Sequence, residues 1–279
     1  MRNQLTNQST LNLKTMKKKH LIPVLLVFVG LATLSFMAAG VTLRLHPSKT
    51  RGQSTTYTIN SKVNAMTMIE VQGQTMNMSQ LIEVTQSATA KEVANDQSNF
   101  ETQIETIKMT MSQMGMKLEY DSEHPEKTSP MLAGQTSEFE KNLKKPVTVT
   151  YDALGKIVGD DTDLDMNQLS NIIIELPEEE LTVGSKWTSK KTQNVNNTDF
   201  DVNMEYTVTN ISKKSVDVSF TGNSEAKDIT GTYNGTASID PQTGIIMSST
   251  TKSNVSMTIN EQGMSMPITV VGTSTVEVK

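Results

Sequence analysis

The stretch "MTMSQMGMKLEY", Met109–Tyr120, carries an apolar residue at every second position and then changes step. Ile107, Met109 and Met111 fall on odd numbers, whereas Met114, Met116, Leu118 and Tyr120 fall on even ones. Period-two alternation belongs to a strand with one dry face. A change of parity needs either a tight turn or an inserted residue. Two relatives of the stretch occur in the same chain, "MTMIEVQGQTMNM" (66–78) and "MTINEQGMSMP" (257–267). Each runs from Met-Thr through polar residues around Gly73, Gly115 or Gly263 into a second alternating Met segment. The recurrence favours a hairpin turning near Gln113–Gly115 over a bulge, with Met109 and Met111 facing Met116 and Leu118.

The same alternation extends outward. Phe200, Val202, Met204, Tyr206 and Val208 share one face of a strand, as do Val216, Val218 and Phe220, and then Met264, Met266, Ile268 and Val270. Thr, Ser, Asn, Lys and Glu occupy the positions between them, so each strand has one buried and one wet face. The expected fold is mainly β: one or two curved antiparallel sheets or a half-barrel, with two short helices between similar lobes. The first helix is expected in "SEFEKNLKK", where Ser137 and Glu140 form a capping box and Phe139 and Leu143 share a face before Pro146. The second is expected in "DLDMNQLSNIIIELP" (163–177), where Leu169, Ile172, Ile173 and Leu176 follow helical spacing and Pro177 ends the helix.

A second echo pairs "VTVTYDALGKIVGDD" (147–161) with "TASIDPQTGIIMSST" (236–250), each a strand, an Asp-led turn around Gly155 or Gly244, and a return strand. The expected organisation is therefore an export segment at 1–40, a β lobe at 41–162, a bridge at 163–182 and a second β lobe at 183–279.

Residues 17–19 are "KKK", and an apolar run closing on "MAAG" follows, which is the grammar of a secretory signal ending near Ala39 or Gly40. Met16 opens this signal, so residues 1–15 read as lying upstream of a misplaced start. The uncharged run from Leu21 to Ala39 also approaches the length of a membrane span, and an uncleaved anchor is the competing reading. Both readings put the remainder outside the cytoplasm, in the periplasm or cell envelope. The chain has no cysteine, which excludes a lipidated first residue and disulfide stapling. Residues 1–40 hold five of the 25 Lys and Arg and none of the 30 Asp and Glu, so 20 basic residues face 30 acidic ones afterwards, a net −10. Such a surface repels phosphate backbones, and nucleic acid is not expected as a partner.

"LPEEELTVGSKWT" (Leu176, Pro177, Val183, Gly184, Trp187), "YDSEHP" after the Met strand, and "DPQTGII" (Asp240–Ile246) resemble a family of uncharacterised exported domains common in Bacteroidota. The resemblance covers most of residues 41–279 and implies a mostly antiparallel β fold. It brings no activity. Some members carry a lipidated Cys, from which this chain departs. A long curved sheet also resembles, in architecture alone, half-barrel periplasmic lipoprotein carriers, and fold does not give function.

The residues with most chemical potential are the methionines. Met66, Met68, Met76, Met78, Met109, Met111, Met114, Met116, Met257, Met264 and Met266 are the candidate ligand-binding residues. Met is a flexible apolar filler that suits irregular cores and greasy ligands alike. Met-x-Met on a strand also sets two thioethers on one face, as a Cu(I) site requires, but neither His46 nor His124 lies beside a Met pair. The run Asp160–Asp165 lacks the Gly and Glu of a calcium loop and suits a helix N-terminus. No nucleophile motif, zinc-binding motif or phosphate loop is present. The expected role is non-catalytic, without cofactor: a binding module for a lipid-like or other apolar or amphipathic ligand. The alternatives are a structural or protein-interaction domain in the envelope, and Met-based Cu(I) binding.

Overall fold

A computed structural model describes residues 40–48, 53–71, 73–93, 96–132, 136, 140–141, 143–158, 172–195, 198–226, 228–261 and 264–279. Residues 1–39 of the expected export segment lie outside these residues. Eleven strands form among those described: β1 (Ser54–Val71), β2 (Gln74–Glu92), β3 (Ser98–Gln113), β4 (Met116–Asp121), β5 (Val147–Tyr151), β6 (Lys186–Val195), β7 (Thr198–Ile211), β8 (Val216–Ala226), β9 (Ile229–Ile239), β10 (Ile246–Glu261) and β11 (Met264–Val278). All belong to one antiparallel sheet in the order β4-β3-β2-β1-β11-β10-β9-β8-β7-β6, with β5 paired to the far end of β3. The sheet is not closed: β4 and β6 are its edges. The β1–β11 ladder, from Ile59↔Val278 to Ile69↔Ile268, makes the strands before and after the bridge adjoining halves of this sheet.

The Met109–Tyr120 stretch is a hairpin. Met109 pairs with Tyr120, Met111 with Leu118 and Gln113 with Met116, around a two-residue turn. Met114 and Gly115 both adopt positive φ, 50° and 79°, the backbone of a type I′ turn. The strand also holds a bulge, at a different place. Ile104 and Ile107 both face inward because Thr85 pairs with Thr106 and Gln86 with Ile104, leaving Glu105 as the extra residue. Its carboxylate accepts a 2.6 Å hydrogen bond from the Ser87 hydroxyl.

Because neighbours are antiparallel, the hairpin ends Val71/Gln74, Gln113/Met116, Val195/Thr198, Ala226/Ile229 and Glu261/Met264 all fall on one rim of the sheet. Inward residues of β1–β4 and β7–β11 join Leu43, Leu132, Ile174, Leu176 and Leu181 in one apolar cluster. Burying each such side chain contributes about 1.5–3 kcal/mol, which is how a chain without disulfides holds its fold.

The opposite end is closed by a tie of four segments. In the Asp152–Lys156 turn the Asp152 carboxylate accepts from the Leu154 and Lys156 amides, and in the echoing turn Asp240 accepts from Gln242. Two extended segments cross both turns. Leu45 donates to Ala153 (2.8 Å) and His46 to Thr243 (3.0 Å) from one segment. From the other, Leu176 donates to Leu154 (2.8 Å), and the Ile172 carbonyl accepts from Ile246 (3.1 Å).

The second of these segments corrects the expected helix over 163–177. Its residues 163–171 lie outside the described residues, but 172–176 are not helical. Ile172, Ile173, Ile174 and Leu176 are all buried, and the two turns supply main-chain partners that a helix would have found internally. A short apolar run fits helical and extended readings equally, and three consecutive β-branched residues favour the extended one. Of the first helix, Ser137 and Phe139 lie outside the described residues. Glu140 and Lys141 form a helical turn, with the Glu140 amide bonded to Thr136.

Candidate functional site

Inward residues on paired strands line up in rows across the sheet. At the β2–β3–β4 corner these rows are Met78–Gln113–Met116, Gln80–Met111–Leu118 and Ile82–Met109–Tyr120. Met78, Met109 and Met111 are buried at 3%, 5% and 7% exposure, whereas Met116 is 49% exposed and Met76 and Leu118 are half-buried. The corner is therefore a filled, largely apolar floor in which the Gln80 amide is buried, with an open apolar lip at the edge strand and below the rim. The Gln80 amide donates to the Met78 sulfur at 3.3 Å, a weak hydrogen bond that orders both side chains in the floor.

The other candidate methionines disperse. Met257 and Met266 face inward on β10 and β11, where both are buried. Met264 closes the β10–β11 hairpin opposite Glu261. Met114, at the β3–β4 tip, is 73% exposed. Met66 and Met68 lie on the outer face, since Val63, Ala65, Thr67 and Ile69 are the buried positions of β1. Met66 pairs with Val271 beside a shallow depression of about 470 Å³ that also borders Lys252 and Asn254. The three Met-Thr hairpins thus share a two-residue connection between paired ends but not a face. The odd-numbered series Ile59, Val63, Ala65, Ile69 was the signal that separates Met66 from Met109.

Neither histidine joins the methionines. His46 is exposed at the four-segment tie, and His124 lies 3.4 Å from Glu126 on an exposed loop. No group of three or more His, Asp or Glu that could hold a metal occurs among the described residues. The Asp160–Asp165 run lies outside them.

A second feature escaped the sequence reading. Trp187, at the start of β6, stacks on Tyr206 with ring centroids 4.8 Å apart and donates to the Glu175 carbonyl at 3.3 Å. Burial pushes the Tyr206 hydroxyl well above its ordinary pKa, although its hydrogen bond with Ser189 acts in the opposite direction. A groove of about 610 Å³ opens over Trp187 between β6 and the 175–181 segment. A depression of about 730 Å³ continues from it along Thr188–Lys190, and the two share Glu175 and Thr188.

Among solved structures, one of lipid–protein interactions in lipovitellin aligns at 13% identity with a TM-score of 0.47 over 83% of this chain. The chain spans only 25% of that protein. An outer membrane channel from Pseudomonas putida F1 aligns at 7% identity and a TM-score of 0.24, over 84% of this chain and 98% of that one. A DUF1329 family protein from Desulfovibrio piger aligns at 9% identity and a TM-score of 0.16, over 79% and 83%. No curated protein matches the chain. Residues 165–246, which include both the Leu176–Trp187 and Asp240–Ile246 stretches, match the model of a family of unknown function, DUF6263.

Proposed function

We propose that this chain is a non-catalytic, exported binding module of the cell envelope that takes up an apolar or amphipathic, lipid-like ligand at the β2–β3–β4 corner. The observation carrying this reading is the open lip formed by Met116, Leu118 and Met76 over the buried Met78, Met109 and Met111, on the inner face of an unclosed sheet. Thioether side chains repack at low cost, so an acyl chain can displace them without breaking the sheet. Export rests on the basic Lys17–Lys19 and the apolar run behind them.

The test is uptake of a fluorescent fatty acid by the parent and by Met116→Ala, with native mass spectrometry of protein purified from its own envelope. Saturable uptake that weakens in Met116→Ala supports the reading, and a parent that takes up nothing ends it. A second reading, a protein-interaction domain without a pocket, is favoured by the close filling of the interior. Met257 and Met266, like the three buried corner methionines, are no more than 7% exposed.

A further inference from the structure

The two edges of the sheet are finished differently. In β4 the Gln113/Met116 turn fixes the phase, so Lys117, Glu119 and Asp121 point their main-chain groups away from β3. That side is occupied. The Glu119 amide donates to the Ser129 hydroxyl (2.9 Å), the Ser129 amide donates to the Glu119 carbonyl (2.8 Å), and the His124 amide donates to the Asp121 carbonyl (3.0 Å). In β6 the Val208 amide bonds to the Ser185 carbonyl, and Val195/Thr198 closes the hairpin. Odd-numbered residues therefore face β7, and Thr188, Lys190 and Thr192 turn their amides and carbonyls outward. β6 has a hydrogen-bonded neighbour on its β7 side only, and no main-chain bond reaches the outward groups of Thr188 and Lys190 among the described residues.

Lysines commonly guard such edges. Here Lys186 and Lys190 reach back across β7 rather than out over the edge. The Lys186 ammonium lies 2.7 Å from Glu205, and Lys190 lies 2.7 Å from Asp201, both partners being on β7. Across the groove stand Glu175, Glu178, Glu179 and Glu180, and none of them has a cationic partner within 4.0 Å among the described residues. The site thus combines outward main-chain groups with a groove floored by Trp187, in which four glutamates outnumber the lining cations Lys156 and Lys186 and leave a net negative charge.

We propose that the outer edge of β6 is a docking site for an extended basic segment of another protein, which adds to the sheet as a further strand. Main-chain pairing along Thr188–Thr192 supplies the register, and alternate basic side chains meet the glutamate wall. A second copy of this chain suits the site poorly. Its own β6 would arrive with Lys186 and Lys190 already neutralised, and it brings the same carboxylates.

The probe is a capped Lys-Val octapeptide, compared with its Glu-Val counterpart and with a Lys-Val peptide N-methylated on alternate amides. Trp187 is the single tryptophan of the chain, so its emission reports this groove alone. The Lys-Val peptide is expected to shift the emission saturably, more weakly as salt rises, and to slow amide exchange at Thr188 and Lys190. The Glu-Val and N-methylated peptides, and the parent peptide on the E178Q/E179Q/E180Q variant, are each expected to bind at least about tenfold more weakly. No saturable response up to millimolar peptide overturns the proposal, as does equal binding of the N-methylated form or protection that misses Thr188 and Lys190. Protection of these amides without peptide, rising with protein concentration, overturns it in favour of a second copy. Fatty-acid uptake by the E178Q/E179Q/E180Q variant separates this site from the β2–β3–β4 corner.

Discussion

Gly155 presses against the main-chain carbonyl of Ile174: a β-carbon on Gly155 would lie 2.1 Å from that oxygen. The glycine also holds φ at +76°, so it serves both the turn and the crossing segment. Gly244 does the same in the echoing turn, where a β-carbon would lie 2.7 Å from the Arg44 carbonyl. The four-segment tie therefore depends on two residues without side chains.

Gly155→Ala should destabilise far more than Gly73→Ala. Gly73 has a similar φ of +77° but nothing within 4 Å of the added carbon, so its cost is left-handed backbone alone, about 1–2 kcal/mol. At Gly155 the Ile174 backbone must also move, and a loss above ~3 kcal/mol is expected. Urea unfolding of the two variants measures the difference, and equal midpoints would show that the tie is dispensable.

The corner methionines should separate by burial. Met109→Ala should cost ~2–5 kcal/mol and Met109→Leu less than ~1.5 kcal/mol. Met116→Ala, at a half-exposed lip, should stay within about 0.5 kcal/mol. Thermal unfolding of the three variants checks the order, and a large loss at Met116 would mean that the lip is core.

Met114 should be replaceable with profit. It sits at φ 50°, in a turn whose first position favours Asn. Met114→Asn should raise stability by ~0.5–1 kcal/mol, whereas Met114→Val, β-branched at positive φ, should lower it by more. Denaturant midpoints of the pair decide.

Alkaline pH should weaken the fold through its tyrosines. Burial, reinforced by the charge of Asp240, pushes the Tyr57 hydroxyl up to about 12, and this hydroxyl donates to the Pro47 carbonyl. Its pKa in the unfolded chain is about 10. A pKa raised on folding gives stability that is complete below pH ~10 and is lost as pH rises through ~12. Burial pushes Tyr206 and Tyr233 in the same direction. Tyr57→Phe should therefore flatten the fall in urea midpoint across this window. Absorbance titration of the native protein should lag that of the unfolded chain.

Period-two alternation determined the strands, and the parity change at Gln113–Met116 determined a turn, because both depend on residues adjacent in the chain. The Asp-led turns around Gly155 and Gly244 were legible for the same reason. The sequence did not determine which face each Met pair takes, since that follows from register against partners as distant as the Met66↔Val271 pair. Nor did it determine the state of 172–176, whose main-chain partners come from turns far along the chain. Only the tertiary structure joined β1 to β11 and, among the described residues, left the outer side of β6 without a strand while Ser129 covers β4, because edges and faces are properties of strand order.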